Sequence, residues 1–358
     1  MLTAGVGLHY KHEKGVIDTG NHILDLVITH YKSPFSLGKP WFDMLSLQRN
    51  VNFDDIGVIL VNDGEESRLP DELFKDYPFE VKNLTIPHAG VSGARNAGID
   101  ASDAEWVMIC DFDDSFMSVN GLHILLTAAK DKTKVMYWSH FFEEIQTVNG
   151  DMIYHQHGRD YIFIHGKMFR VEWLRKENLR FYDKLTLHED VFFNTLTQAV
   201  ADDDAIGEIK SGLYIWCWNK DSVSRQYDNW LIRTYNHQIR QRIAIARELE
   251  QRGLDEALDL TVVKTIIDGY YDFQQESWLS KDLSKDYRLA ERWFCTFMKE
   301  YWRVYSKVEP KKIAGMAKLA RDYRVEKGFL LMESKTLRDW LMHMVNDVKP
   351  IPKEEWNL

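Results

Sequence analysis

Three aspartates fall within four positions at Asp111-Phe112-Asp113-Asp114, directly after the apolar run 106–110. A run of that length predicts a short buried strand, so the carboxylates sit where the chain leaves a sheet. Carboxylates this close repel one another. A hard divalent ion such as Mg²⁺ or Mn²⁺ takes oxygen ligands of this kind, usually together with phosphate oxygens and water. An acidic loop facing solvent is the plainer reading of the same residues. A second acidic pair, Glu189-Asp190, follows His188 and precedes the apolar stretch 191–199. It reads either as ordinary chemistry of a helix start or as a positioned carboxylate able to take a proton from a hydroxyl.

The elements that must position these groups are alternating strands and helices. Residues 23–31 carry a β-rich run ending in Thr29-His30-Tyr31, residues 36–50 have helical spacing, and residues 56–61 form a second strand running into Asn62-Asp63-Gly64. Strand, helix and strand make a βαβ unit, and open parallel sheets collect ligands at the carboxyl ends of their strands. Thr29, Tyr31, Asp63 and the acidic cluster therefore belong to one rim, although Asp63-Gly64 alone is also a plain turn. A third short strand, 84–87, leads into the small-residue segment from Gly90 to Ile99. There Ser92 is suited to cap a helix, and Arg95 falls in the first turn, where it can join free amides in holding an anion. The segment is neither a dinucleotide fingerprint nor a P-loop.

Taken in order, Thr29-His30-Tyr31, Val61-Asn62-Asp63-Gly64, Gly90 to Gly98, and Glu105-Trp106 running into Asp111-Phe112-Asp113-Asp114 resemble glycosyltransferase family 2. The first part of the resemblance covers residues 23–120. It continues through Tyr161 to Arg170, Trp173-Leu174 and Leu179-Arg180-Phe181 to Leu187-His188-Glu189-Asp190-Val191-Phe192-Phe193. In that family's acceptor half a glycine-lysine pair, here Gly166-Lys167, opens a helix and an acidic pair opens a later one. The resemblance implies a GT-A fold, a Rossmann-like, mostly parallel sheet flanked by helices. It also implies a nucleotide-diphosphate sugar donor, with UDP favoured, a divalent metal (Mn²⁺ or Mg²⁺), inversion at the anomeric carbon, and Asp190 as general base. It further places the donor base near Thr29, Tyr31 and Asp63 and the diphosphate near Arg95. The metal falls on Asp113 and Asp114, with Asp111 on the metal or the ribose. His165, Lys167, Glu189, Trp218, Lys220, Ser222 and Arg225 are candidates for the acceptor or the diphosphate. Asn62 stands where the family often has the first aspartate of an Asp-Asp-Gly-Ser element, and Glu65 where it has the serine.

The rest of the chain sets limits on what such a site serves. With 358 residues and 45% apolar content there is ample core, and a net charge of −10 argues against a surface built for nucleic acid. Cys110, Cys217 and Cys295 are isolated among apolar neighbours, which suggests neither a disulfide framework nor a zinc site. Residues 1–22 read as a tail without an apolar signal core, and no run is long and apolar enough to span a bilayer; a cytoplasmic protein is expected, with room for peripheral contact at the inner membrane face. Residues 23–228 read as the catalytic domain and 229–358 as a helical C-terminal domain outside the resemblance. Its basic stretch after Tyr305 and its tryptophans Trp278, Trp293 and Trp302 are compatible with a solvated helix face, an anionic acceptor, a membrane surface or self-association. The acceptor is expected to be a glycan, polymer or other hydroxyl-bearing molecule. A metal-dependent phosphohydrolase or nucleotidyltransferase, and an inactive nucleotide-sugar-binding module, are the competing classes.

Overall fold

The computed structural model describes residues 22–222, 230–279, 281–332 and 335–358. The tail before residue 22 and Arg225, named above as a candidate, lie outside the described residues. The first half runs β1 (Leu24–His30), α1 (Phe35–Ser46), β2 (Ile56–Asp63), β3 (Glu80–Ile86), α2 (Gly90–Ala101), β4 (Trp106–Asp111), β5 (Ser115–Phe116) and α3 (Gly121–Ala128). There follow β6 (Met136–Gln146), β7 (Met152–His157), β8 (Lys167–Arg170), α4 (Val171–Lys176), α5 (Glu189–Val200) and β9 (Ile206–Trp216). The helices α6 (Trp230–Arg233), α7 (Tyr235–Gln251), α8 (Asp255–Asp272), α9 (Ser284–Tyr305), α10 (Pro310–Glu326) and α11 (Leu337–Asn346) complete the chain.

One sheet has the order β3-β2-β1-β4-β8-β6-β9-β5, with β7 on β6. β1 is central to the parallel half, pairing β2 and β4 in a register that sets Thr29 opposite both Val61 and Asp111. Both its faces are covered, as the unbroken apolar run requires. Leu24, Leu26 and Ile28 pack with Trp41, Phe42, Trp106 and Met108 on the α1 and α3 side. Val27, Ile59, Val107 and Ile109 turn to the opposite side, where α2 and α5 lie. The register therefore brings Thr29, Asp63 and Asp111 to one rim, as the βαβ reading expects.

The second half departs from sequence expectation in two places. β6 and β7 form a hairpin that the apolar patterning passes over, because β7 is almost wholly exposed. Its signal was Asn149-Gly150: the Gly150 amide donates to the Thr147 carbonyl, closing a turn over Val148 and Asn149, and Gly150 follows at φ +88°, a conformation that favours glycine. Gly166-Lys167 opens a strand, not the helix that the resemblance implies. The Gly166 carbonyl accepts from the Ser139 amide, a Cβ on Gly166 would lie 2.7 Å from Ser139 Oγ, and the helix α4 starts only at Val171.

The C-terminal helices do not form a separate core. The buried cluster containing Val27, Val107 and Phe193 runs on without a break into Ile243, Ile266, Phe294 and Met344. Arg252, directly after α7, donates to the carbonyls of Glu177 and Asn178, which ties the extension to the connection after α4. Trp278 and Trp293 are core residues, whereas Trp302 remains 40% exposed. Among the described residues no helix is long and apolar enough to cross a membrane.

α2 can lie close to the sheet because Gly98 has no side chain; a Cβ there would sit 2.2 Å from Val27 Cγ1. Gly98→Ala gains at most ~1 kcal/mol of helix propensity but overpacks a filled interface at a cost of ~1–3 kcal/mol. The expected net destabilisation, about 1 kcal/mol, is read as a lower urea midpoint with an unchanged m value.

Candidate active site

β1, β2 and β4 end together, and the chain returns to this rim from two distant places. Arg95, one turn into α2, is 3% exposed and faces three carboxylates. One amino group donates to Asp111 Oδ1 at 3.0 Å, and the other donates to Glu189 Oε1 at 2.8 Å and to Asp190 Oδ1. A guanidinium has the planar, multiply donating geometry for this task, and a lysine does not. Arg95, expected to meet a diphosphate, here has both terminal nitrogens on the protein's own carboxylates.

Asp190 and Glu189 form the first turn of α5, after His188 in the left-handed region at φ 63°. The second Asp190 oxygen, Oδ2, accepts from the Ile164 amide at 3.2 Å, so the carboxylate is clamped from two elements while its side chain stays 17% exposed. Burial opposes the charge on Asp190, but Arg95, the hydrogen bond to Glu189 and the neighbouring His165 outweigh it and hold the carboxyl below its ordinary value. Glu189 is pushed the other way, up to about 8, by burial and then by the Asp190 charge. The two shifts run in opposite directions, so negative charge in the pair is favoured on Asp190 over Glu189. Since the folded Glu189 value exceeds its ordinary 4.5, its contribution to stability is present at low pH and fades as pH rises through about 8. Asp190, held low, contributes at neutral pH and loses that contribution as pH falls through its depressed value.

The acidic cluster after β4 divides its labour. The short strand β5 pairs with β9, which carries Tyr214 beneath the loop. Asp114 is buried, accepting from the Tyr214 hydroxyl at 2.6 Å and the Cys217 amide at 3.0 Å; burial, then Asp111 and Asp113, push its carboxyl well above the ordinary value. His165 Nδ1 lies 3.5 Å from Asp114 Oδ2, is buried, and has no hydrogen-bond partner among the described residues. Ligand atoms of Asp111, Asp114 and His165 lie within 4.8 Å of one another. Two carboxylates and an imidazole nitrogen without another partner fit a divalent cation such as Mn²⁺ or Mg²⁺. Asp113, expected beside Asp114 on the metal, instead receives the Asn219 amide at 2.7 Å and stands outside that trio.

At the other end of the rim Asp63 accepts from the amides of Ala89 and Gly90 at 2.6 and 3.0 Å. It thereby caps α2, the task expected of Ser92, whose hydroxyl lies inside the helix and donates to the Leu185 carbonyl. His88 Nδ1 is 2.8 Å from Asp63, and its ring stacks on the exposed Tyr31 at 4.7 Å. His88 was not singled out from the sequence; its position just past β3, on the same rim, was the available signal. Asn62 in place of an aspartate also has a reason. It is fully buried, donating to Asn83 Oδ1 and the Leu84 carbonyl while accepting from the Leu69 amide, which a carboxylate could not do.

The remaining candidates are scattered. Lys167 is 1% exposed, donates to the Phe163 carbonyl and lies 5.4 Å from the Trp138 ring; burial lowers its ammonium to about 8. Expected at the acceptor or diphosphate, it here braces the loop that holds Asp190. The Trp218 amide donates to Glu144 and the Ser222 amide to the Asn219 carbonyl, while Lys220 is exposed at the loop's tip. The Trp216 ring packs on Phe163 and His165.

A parallel half-sheet with aspartates gathered on its carboxyl rim, extended by a mixed half that adds a clamped carboxylate, defines this as a GT-A fold. Residues 1–349 of S. aureus TarS share it with a TM-score of 0.57 at 15% identity, covering 85% of this chain and 91% of that one. The complex of TarS 1–349 with UDP-GlcNAc gives 0.56 at 15% identity, covering 85% and 92%. Residues 43–206 match the family model of Glycosyl transferase family 2. EpsH of Bacillus subtilis (strain 168) is 24% identical over 203 residues, 51% of this chain and 58% of EpsH. EpsJ of the same organism is 24% identical over 191 residues, 48% of this chain and 55% of EpsJ; both are named as glycosyltransferases. The chain spans little more than half the length of these two relatives.

Arg95→Met leaves three carboxylates facing one another without a cation. The expected loss is ~3–5 kcal/mol of unfolding free energy near neutral pH. It should shrink as the pH falls toward the ordinary carboxylate range, because the unpaired groups then take up protons. Denaturant titration of both proteins at two pH values measures the difference.

Proposed function

We propose that the chain transfers a sugar, with inversion, from a nucleotide-diphosphate sugar to a hydroxyl acceptor, with Asp190 as the general base. The observation that carries this reading is the single guanidinium of Arg95 joining Asp190 to Asp111, which puts a proton acceptor beside the rim where the donor belongs. UDP is the favoured nucleotide, supported by the UDP-GlcNAc and UDP complexes of TarS, whose fold this chain shares. The base is assigned to Tyr31, Thr29 and Asp63, now with His88. The diphosphate is assigned to the loop of Asp111, Asp113 and Asp114, with Lys220, Ser222 and Arg225 covering it and Trp218 toward the acceptor.

The acceptor hydroxyl gives its proton to Asp190 as its oxygen forms a bond to the anomeric carbon, and the bond from that carbon to the diphosphate oxygen breaks on the opposite face. One displacement inverts the centre. An Asp190 carboxyl held below its ordinary value while Glu189 is raised suits the step, since the base must start without its proton. Asp111, Asp114 and His165 would hold the divalent cation, which supplies charge neutralisation at the leaving diphosphate and so replaces the protonating acid that a glycosidase needs.

Asp190→Asn is expected to bind UDP as the parent does and to lose transfer, or donor hydrolysis where no acceptor is supplied, by ~10²–10⁴-fold. Nearly intact turnover would remove Asp190 from the role. Cleavage between the phosphates of the donor, in place of release of intact UDP, would identify a phosphohydrolase. Asp111→Asn is expected to raise the Mn²⁺ concentration needed for half-maximal UDP binding about tenfold or more, read by calorimetric titration. A metal-binding module without catalysis would share that metal dependence and show no turnover in any variant.

A further inference from the structure

Between the loop that clamps Asp190 and the appended helices lies a cleft of about 650 Å³, within the size range of ligand sites. Ile162, two residues before the Ile164 amide that holds Asp190, forms part of its wall and is 51% exposed. α7 contributes Gln238 and Arg242, and α8 contributes Asp268 and Asp272. The outer wall is α10 and the turn after it, where Leu319, Tyr323 and Phe329 are 72%, 58% and 44% exposed. Large side chains left open beside buried charge are unusual on a surface that meets only water.

The charges in this cleft do not cancel. Arg324 binds Asp272 at 2.8 Å and Asp268 at 3.3 Å, and Lys264 binds Asp268 at 2.7 Å. Those groups satisfy one another. Arg242 lines the same cleft and has no hydrogen bond or ion pair among the described residues. Its charge is felt by Asp268, but its N–H groups donate to no described residue, and guanidinium donors placed in an open cleft are a binding group for oxygen ligands. Next to it on the catalytic side is His188, which directly precedes the acid pair. Its Nε2 is buried without a partner, and burial followed by the Arg242 charge lowers its imidazole to about 4. It is therefore a neutral hydrogen-bonding group at neutral pH.

We propose that this cleft is the acceptor site, and that it takes a hydroxyl-rich chain carrying an anionic oxygen group, phosphate or carboxylate, which pairs with Arg242. Gln238 and the carboxylates of α8 meet hydroxyls, Tyr323 and Phe329 supply flat apolar faces for sugar or polyol carbons, and Ile162 directs the leading hydroxyl toward Asp190. The appended helices then select the acceptor, while the sheet rim handles the donor. This assignment rests on the transferase reading, so the test separates binding from turnover.

The test uses the full chain and three probes of similar size, tetragalacturonate, mannotetraose phosphate and neutral mannotetraose, each titrated calorimetrically. The two anionic probes are expected to bind about tenfold or more tighter than the neutral one, with binding that weakens as salt is raised. The tighter of the two identifies carboxylate or phosphate as the group. Arg242→Gln should abolish that preference and leave UDP binding unchanged. Leu319→Trp, which fills the cleft from an exposed position, should weaken both anionic probes. Equal binding of charged and neutral probes, or an Arg242→Gln variant that retains the preference, overturns the proposal. Arg242-dependent binding without donor turnover would keep the cleft and sink the transferase reading; Asp190-dependent donor turnover with no Arg242-dependent binding would do the reverse.

Discussion

The structure around the rim depends on one buried cation. Arg95 lies where α2, the end of β4 and the start of α5 meet, and each of these elements brings a carboxylate to it. Three carboxylates could not be taken out of water together without a matching positive charge, since desolvation alone would drive them to protonate. One guanidinium offsets only part of that charge, and Glu189 responds by holding its proton more tightly than usual. The remaining negative charge lies beside Asp114 and His165.

The surrounding fold serves to make that meeting possible. Gly98 lets α2 approach β1 closely enough for Arg95 to reach over the sheet edge, and Asp63 fixes where α2 begins by taking its first amides. Gly166 lets β8 pass tight against Ser139 of β6, which sets the course of the loop whose Ile164 amide holds Asp190. The α5 helix that carries Asp190 is itself buttressed by α7, in a core continuous with the rest of the C-terminal helices. A change in those helices can therefore be felt at Asp190 without any covalent contact with the rim.

Much of this was legible in the residues. The apolar runs of β1, β2 and β4 specify a buried parallel half-sheet, because only a strand covered on both faces tolerates such continuity, and their polar ends identify the rim. The long helical spacings after residue 230 likewise appear as helices. The β6–β7 hairpin was missed because its outer strand carries little apolar signal, so only the Asn149-Gly150 turn marked it.

What the sequence determined by itself was the inventory: which carboxylates end strands or begin helices, and which arginine lies near a helix start. Local pattern is enough for that, since strand and helix periods and turn chemistry act over a few residues. Partnership was decided only by the tertiary structure. Arg95 and Asp190 are 95 positions apart, and nothing in either segment says that a guanidinium placed for an anion will find three carboxylates of its own chain. Likewise His165 joins Asp111 and Asp114 because β5 and β9 carry the loop over it, leaving Asp113 to Asn219. Charge pairing depends on distance through space, and that distance is set by how sheet and helices pack, which spacing along the chain does not encode.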